Sequence, residues 1–506
     1  MHPFPAPPDE IPVGGKWQRG GGPASSCVDP ADGAVVASIH AADLAQVDAA
    51  AQAAAAAAAD PGWRDLLPHQ RARLLSRVAD GIEEHASELA LLQTRNTGKA
   101  LSETRALVAS AAGTFRYYAA ALETLEDELP PRRGAQLTMS VHEPIGVVGA
   151  ITPWNSPIAS DAQKIAPALA GGNGVLLKPA EATPLVSLAL ARIVHDAGVP
   201  AELLSVLPGP GSVVGDAIAR HPQVGKLAFT GGTTTGRVLG RIAAERIIPV
   251  TMELGGKSPN IVCPDADVES AVAGILYGIF SSTGQSCIAG SRIFLPRSDY
   301  DTWARLLTEG AAALRVGPGT EPGTQVGPLA TFAHRDKVAG MVDRARDEGA
   351  RVRCGGGVPD DERLAQGAYY LPTLLDGLAA DSKTCQEEIF GPVGVLLPYD
   401  DEEDLVRQAN DTVYGLACGI WTADYRRALR LARRIEAGTV WVNTYKQFSI
   451  STPFSGVKES GLGSDKGRVA IRSYQRQKSV YLGLAEEPIG WAAATPGARG
   501  TRATRG

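Results

Sequence analysis

The chain has little of what would place it in a special class. Its 506 residues include six cysteines (Cys27, Cys263, Cys287, Cys354, Cys385 and Cys418), with no Cys-x-x-Cys pair and no histidines at zinc spacing. That scatter speaks against a disulfide framework and against a metal site, and it suits a reducing cytosol. No run of lysine and arginine could track phosphates or an anionic bilayer, and the formal net charge is −6. Neither nucleic acid nor a membrane surface is expected as a partner. The N-terminal MHPFPAPPDE lacks the basic and apolar regions of a signal peptide. The alanine run Ala53–Ala59 falls far short of the roughly 20 apolar residues that a membrane helix needs. A cytoplasmic location is expected.

What is present is ordinary globular material, 44% hydrophobic and 21% charged, in a chain too long for one core. Residues 1–26, rich in Pro and Gly, read as an irregular arm, and helical periodicity dominates from about 43 to 128. From 141 the pattern changes. Apolar runs at 141–152, 174–179, 203–209, 226–231 and 247–256 read as buried strands, and the segments between them (158–170, 184–197, 212–220 and 233–245) read as helices. Strands alternating with helices imply a parallel sheet covered on both faces. A second block repeats the pattern, with helices at about 267–280 and 299–314 and strands at 292–296, 393–398, 416–421 and 438–443. Two α/β domains leave a cleft between them. The tail from about 485 reads as disordered.

Single motifs decide little. PGPGSVVG (208–215) follows a strand and opens a helix, but its spacing departs from the usual G-x-G-x-x-G, and a tight turn explains it equally well. FTGGTTTGR (229–237) suits phosphate binding or simple helix capping. Cys287, in TGQSCIAGSR, taken alone is more readily a small buried filler than a nucleophile. Glu253 could be a strand-end carboxylate paired with Lys257. Lys178 could be an ordinary exposed lysine, and Asn155 the N-cap of the helix that follows Ser156-Pro157.

Order changes the reading. PWN (153–155), KPAEATP (178–184), FTGGTTTGR (229–237), MELGGKSPNIV (252–262), GQSCIAGSR (284–292), EEIFGPV (387–393) and PFSGVKESGLG (453–463) follow one another along the chain. Together they closely resemble the NAD(P)-dependent aldehyde dehydrogenase superfamily, from about residue 12 to 482. The resemblance implies two Rossmann-like parallel-sheet α/β domains plus a small β oligomerisation flap. It places an NAD-binding domain at 1–127 and 145–254, a catalytic domain at 255–443, and the flap at 128–144 and 472–484, and it implies a homodimer or homotetramer. Cys287 becomes the nucleophile, Glu253 the general base and Asn155 an oxyanion donor, with the Cys287 N–H as a second one.

The cofactor positions implied are Ile151, Thr152, Pro153, Trp154, Lys178, Glu181, Gly211, Gly215, Phe229, Thr230, Gly231, Gly232, Thr233, Leu254, Glu388 and Phe390. Lys178 and Glu181 would hold the adenosine ribose, and Glu388 the nicotinamide ribose. A carboxylate at 181 repels a 2′-phosphate, which favours NAD, with NADP still usable. The substrate pocket is expected at Ser156, Ser160, Gln163, Ser286, Ile288, Phe448, Ile450 and Phe454. Relatives often carry bulky or aromatic residues at the first of these positions. The smaller, polar set here points to an aldehyde with polar groups or ring oxygens, a catabolic semialdehyde in preference to a long alkyl aldehyde. Two alternatives remain at this stage. One is a CoA-acylating enzyme, against which Glu253 argues; the other is a protein that kept the fold without turnover.

Overall fold

The computed structural model describes residues 9–485, so the N-terminal MHPFPAPP and nearly all of the tail from about 485 lie outside the described residues. Val147–Ile151, Gly174–Lys178 and Val224–Thr230 are almost continuously apolar and almost continuously buried. Such strands need helices on both faces, and they form the centre of a six-stranded sheet. Its order is 461–462, 250–253, 224–230, 147–151, 174–178, 204–206. All neighbours run parallel except Gly461–Leu462, which is antiparallel to Val250–Glu253.

The sequence order reverses about Val147–Ile151, whose two neighbours are 174–178 and 224–230. This is a switch point of the kind beside which α/β sheets bind ligands, at the carboxyl ends of their strands. Those ends are Ile151, Lys178, Thr230 and Glu253. The topology thus gathers residues from four separate motifs along one edge.

The second sheet has seven strands in the order 351–354, 373–376, 393–399, 292–296, 259–262, 417–421, 439–442. It too is parallel apart from one edge strand, Arg351–Cys354, which is antiparallel to Thr373–Asp376. The expected parallel sheets are found, each with one antiparallel edge strand. An edge strand has a single neighbour, so a chain returning from outside the βαβ repeat can pair there in either direction.

The Pro- and Gly-rich start is also more regular than expected. Glu10–Val13 pairs with Lys16–Arg19 and Ala24–Val28 with Val35–His40, both as antiparallel hairpins. The apolar run at 141–152 is not one strand but two. Gln136–Pro144 pairs with Gln475–Gly483 in a separate two-stranded ribbon, and Val147–Ile151 enters the first sheet. The 212–220 segment opens as a wide π turn, Gly211–Gly215, before the short helix Asp216–Arg220. The alanine run lies in the helix Leu44–Ala59, closed at its start by a capping box between Asp43 and Gln46. Ala50, Ala51 and Ala54 are fully buried there. Among the described residues no helix is long and apolar enough to cross a membrane, and no cluster of His, Cys, Asp and Glu could hold a metal ion.

Candidate active site

Cys287 sits on the turn between the helix Val268–Phe280 and the strand Arg292–Pro296. The turn is wound by three successive left-handed residues, Ser282 (φ +59°), Thr283 (φ +56°) and Gly284 (φ +68°). For the two non-glycines such a backbone costs about 1–3 kcal/mol each, and it persists only where its surroundings fix it. Three contacts do so. The Thr283 hydroxyl donates to Gly327 O (3.0 Å), the Ala330 N–H donates to the Gln285 side chain (2.9 Å), and the Tyr445 hydroxyl donates to Ile288 O (3.0 Å). A Cβ on Gly284 would lie 2.0 Å from Gly391 O, and one on Gly256 would lie 2.3 Å from Cys287 O. The Cys287 loop is thus laid directly on neighbouring backbone.

The Asn155 side chain donates to Gln285 O (2.9 Å), two residues before the cysteine. Asn155 does not cap the helix Pro157–Ala170; Ser156 holds the N-cap position, without a side-chain cap. That hydrogen bond fixes the orientation of the Asn155 amide beside Cys287.

Glu253 does not pair with Lys257, which donates instead to Glu387 O (2.6 Å). The Glu253 side chain is 3% exposed, and neither carboxylate oxygen has a hydrogen-bond partner among the described residues. An unpartnered buried carboxylate is costly unless it is protonated or used. Burial, reinforced by the nearby Asp465 carboxylate, holds its pKa well above the usual range. Asp465 is itself bound to Lys164 (2.6 Å), and both side chains are at most 2% exposed. The Cys287 thiol is pushed up to about 12 by burial first, then by the Glu388 and Glu253 carboxylates, while Lys446 pulls it down.

A cavity of about 240 Å³ brings these groups together. Asn155, Glu253 and Cys287 share it with Pro153 and Trp154, with Thr230, Gly231 and Gly232, and with Leu254, Glu388 and Phe390. Glu388 accepts the Gly256 N–H (3.0 Å), and burial raises its pKa to about 7. Trp154 packs edge-on against Phe390 at 5.2 Å. Other predicted cofactor positions lie outside this cavity but along the same strand ends. Thr152 N–H donates to Lys178 O (3.1 Å), and Gly215 stands beside the side chains of Lys178 and Ile151. Phe229 packs under Gly231, and Thr233 opens the helix Thr233–Arg246. Gly211 faces open space, and Glu181 is exposed beside Pro210 and Cys27 at a small hollow of about 60 Å³.

Lys178 is not an ordinary surface lysine. It is 5% exposed, its ammonium donates to Pro179 O (3.0 Å), and burial lowers its pKa. An ammonium so placed, with the exposed carboxylate of Glu181 nearby, suits a ligand rich in hydroxyls. The open glycine turn at the start of Thr233–Arg246 offers backbone N–H groups to an anion. The groove therefore fits a dinucleotide.

The predicted pocket residues are less uniformly placed. Ser156, Ser160 and Gln163 lie on the first turns of Pro157–Ala170 or just before it, partly exposed, and Ser286 is partly exposed next to Cys287. Ile288 is 5% exposed and packs into the core of the second sheet. Phe448 and Phe454 stack edge-on at 5.4 Å, and Ile450 reaches Gly113 on the helix Leu101–Leu122. Several charged residues at the site were not foreseen. His334 and Lys337 line the cavity, and the imidazole of His334 meets Phe390 O at 2.8 Å. Lys164, Asp465, Lys446 and Lys466 surround Glu253 and Cys287. An early signal for one of these is Lys164, a lysine just before the apolar run IAPALA in the helix PIASDAQKIAPALA.

Comparison with known proteins gives this geometry its context. The model of the aldehyde dehydrogenase family matches residues 17–480. The candidate aldehyde dehydrogenase DhaS of Bacillus subtilis (strain 168) is 40% identical over 459 residues, covering 90% of this chain and 92% of that one. The NAD+ complex of an aldehyde dehydrogenase from Bacillus cereus superposes with a TM-score of 0.92 at 37% identity, over 94% of this chain and 96% of the other. A point mutant of betaine aldehyde dehydrogenase from Staphylococcus aureus, in complex with NAD+, gives 0.94 at 32% identity, over 96% and 99%. With a cysteine, a buried carboxylate and an amide converging beside a dinucleotide groove, and with matches of this extent, the chain belongs to the aldehyde dehydrogenase family.

Proposed function

We propose that the protein oxidises an aldehyde to the carboxylic acid with NAD, through covalent catalysis at Cys287. The observation that carries this reading is the convergence of Cys287, Asn155 and Glu253 on one cavity that also contains the Gly231–Gly232 turn. The Cys287 sulfur adds to the aldehyde carbon. The oxygen, now an oxyanion, takes hydrogen bonds from the free N–H of Asn155 and from the N–H of Cys287. NAD+ bound along the strand ends supplies the hydride acceptor. The thioester left on Cys287 is attacked by water whose proton passes to Glu253, a buried carboxylate with both oxygens unengaged. Burial and the Asp465 carboxylate raise its pKa, which makes it a stronger base than an ordinary carboxylate.

NAD+ in the Bacillus cereus and Staphylococcus aureus relatives supports the cofactor assignment. Exposed Glu181 supports NAD over NADP, since its carboxylate would face a 2′-phosphate. The small polar residues Ser156, Ser160, Gln163 and Ser286 support a polar aldehyde. We read the first sheet with its helices as the cofactor half, the second as the catalytic half, and the ribbon of Gln136–Pro144 with Gln475–Gly483 as the flap of a cytoplasmic homodimer or homotetramer. Tyr481, Leu482 and Leu484 are exposed on or just beyond that ribbon, as a subunit contact requires. The test is NADH formation at 340 nm from an aldehyde, with and without CoA. The wild type is expected to turn over without CoA and Cys287→Ala to be inactive. Full activity in Cys287→Ala, or strict dependence on CoA, would defeat the reading.

A further inference from the structure

Lysines close to the nucleophile carry charge that the mechanism above does not use. The Lys446 ammonium donates to the Ser281 hydroxyl (2.7 Å) and carbonyl (3.4 Å), at the start of the turn that leads to Cys287. Its neighbour Tyr445 holds Ile288 O on the far side of the cysteine. Residues 445 and 446 therefore grip both ends of the nucleophile loop. The ionisable groups facing Lys446 are Glu103, Lys99 and Cys287. Lys99, 2% exposed, also faces Glu103, which already accepts the Ser282 N–H (2.5 Å). One carboxylate thus serves two ammoniums, and a cation is left over.

Lys466 repeats the situation nearby. It is 7% exposed, its ammonium lies 3.9 Å from the Phe448 ring centre and 5.4 Å from that of Phe454, and it faces Cys287, Glu253 and Asp465. Asp465 is already bound by Lys164. Both lysines are held in left-handed backbone, φ +54° at Lys446 and +60° at Lys466, a conformation that non-glycine residues keep only where the surroundings enforce it. Burial pushes Lys446 down to about 7 and Lys466 to about 8, as happens to ammoniums short of counter-charge.

Under-matched cations facing Cys287, one buried at Lys466 and one half-buried at Lys446, call for an anion. We propose that Lys446, assisted by Lys466, is a specificity-determining residue that binds the anionic end of the substrate, so that the preferred aldehyde is a short one carrying a carboxylate at its other end. This rests on the dehydrogenase reading above and adds the sign of the substrate's charge. Lys446 holds the carboxylate while Cys287 meets the carbonyl, and the stacked Phe448 and Phe454 flank the short apolar span between.

The experiment compares 4-oxobutanoate with butanal, two four-carbon aldehydes that differ by the carboxylate, in wild type, Lys446→Met and Lys446→Arg. The expected wild-type ratio of kcat/KM favours 4-oxobutanoate by roughly tenfold or more, the worth of one charge-assisted contact. Lys446→Met is expected to lose about tenfold of that ratio, mainly through KM, and Lys446→Arg to retain most of it. A second readout needs neither cofactor nor turnover: alkylation of Cys287 by anionic iodoacetate against neutral iodoacetamide, followed by peptide mass spectrometry. The iodoacetate preference is expected to fall in Lys446→Met. A wild-type ratio at or below one, or an unchanged ratio and alkylation preference in Lys446→Met, overturns the proposal. Anion-selective alkylation lost in Lys446→Met, but with no aldehyde oxidised by the wild type, would uphold the anion site and defeat the dehydrogenase reading instead.

Discussion

The buried pair Lys164–Asp465 makes the most demanding prediction, because it ties stability and catalysis to opposite ends of one contact. Its partners lie 2.6 Å apart, with side-chain exposures of 0% and 2%. Lys164→Met takes from Asp465 its hydrogen-bonded cation, leaving Lys466 and Lys226 facing it at longer range, and breaking a buried pair in this way costs up to about 3–5 kcal/mol. The expected fall in Tm is about 5–15 °C. The double variant Lys164→Met/Asp465→Leu removes both charges and is expected to recover much of the loss.

The same substitutions bear on Glu253, whose pKa is raised by burial and by Asp465 and lowered by Lys164. In the proposed mechanism Glu253 accepts a proton only when ionised, so activity is expected to appear as pH rises through its pKa. Removing the cation raises that pKa, and the acid limb of kcat in Lys164→Met moves to higher pH. Asp465→Asn removes the anion and moves the limb to lower pH. Calorimetry and a pH profile of NADH formation check both. Shifts in the same direction for the two variants, or a Tm for Lys164→Met within 2 °C of wild type, roughly the scatter such a measurement carries, would refute the reasoning.

Other outcomes follow from the same site. Asn155→Ala is expected to lower kcat by about 10²–10³ with little change in cofactor affinity, as steady-state kinetics will report. Glu253→Gln should give a burst of NADH close to one per active site and then a slow steady state, because acylation proceeds while thioester hydrolysis stalls; absence of a burst counts against Glu253 as the hydrolytic base. Glu388→Gln removes the larger of the two anionic influences on the Cys287 thiol. Its alkylation should therefore set in at lower pH than in wild type. Glu181→Gln is expected to improve kcat/KM with NADP relative to NAD, read directly from the ratio of the two cofactors.

Much of this site could be read from the chain because the motif residues fall at strand ends. Ile151, Lys178, Thr230 and Glu253 each close an apolar run that announces itself as a buried strand, and a parallel sheet brings such ends together without further information. The hairpins at 10–19 and 24–40 escape a sequence reading because their strands are short and mix exposed, half-buried and buried positions with no regular apolar alternation to mark them. Lys178, Asn155 and Glu253 had ordinary surface explanations, and only burial and partners remove these. The charged ring around Glu253 and Cys287 is a tertiary product. Lys164 and Asp465 are 301 residues apart in sequence, and Lys466 looks like a loop lysine until packing closes over it.

The strand Gly461–Leu462 has a meaning in time as well as in space. It borders Val250–Glu253, and Ser460 clasps the adjoining turn through Leu254 N–H (2.9 Å) and Gly255 O (2.7 Å). The ribosome makes the base-bearing strand roughly 200 residues before this clasp, an interval of about 10–40 s at usual elongation rates. Cys287 is made within that interval, and until the clasp forms the Glu253 strand is paired on one side only, with Leu227–Thr230. A nascent or prematurely ended chain would therefore expose a thiol without the means to release an acyl group. Under the proposed mechanism, a two-residue strand made late in synthesis completes the seat of the carboxylate on which release of the acid depends.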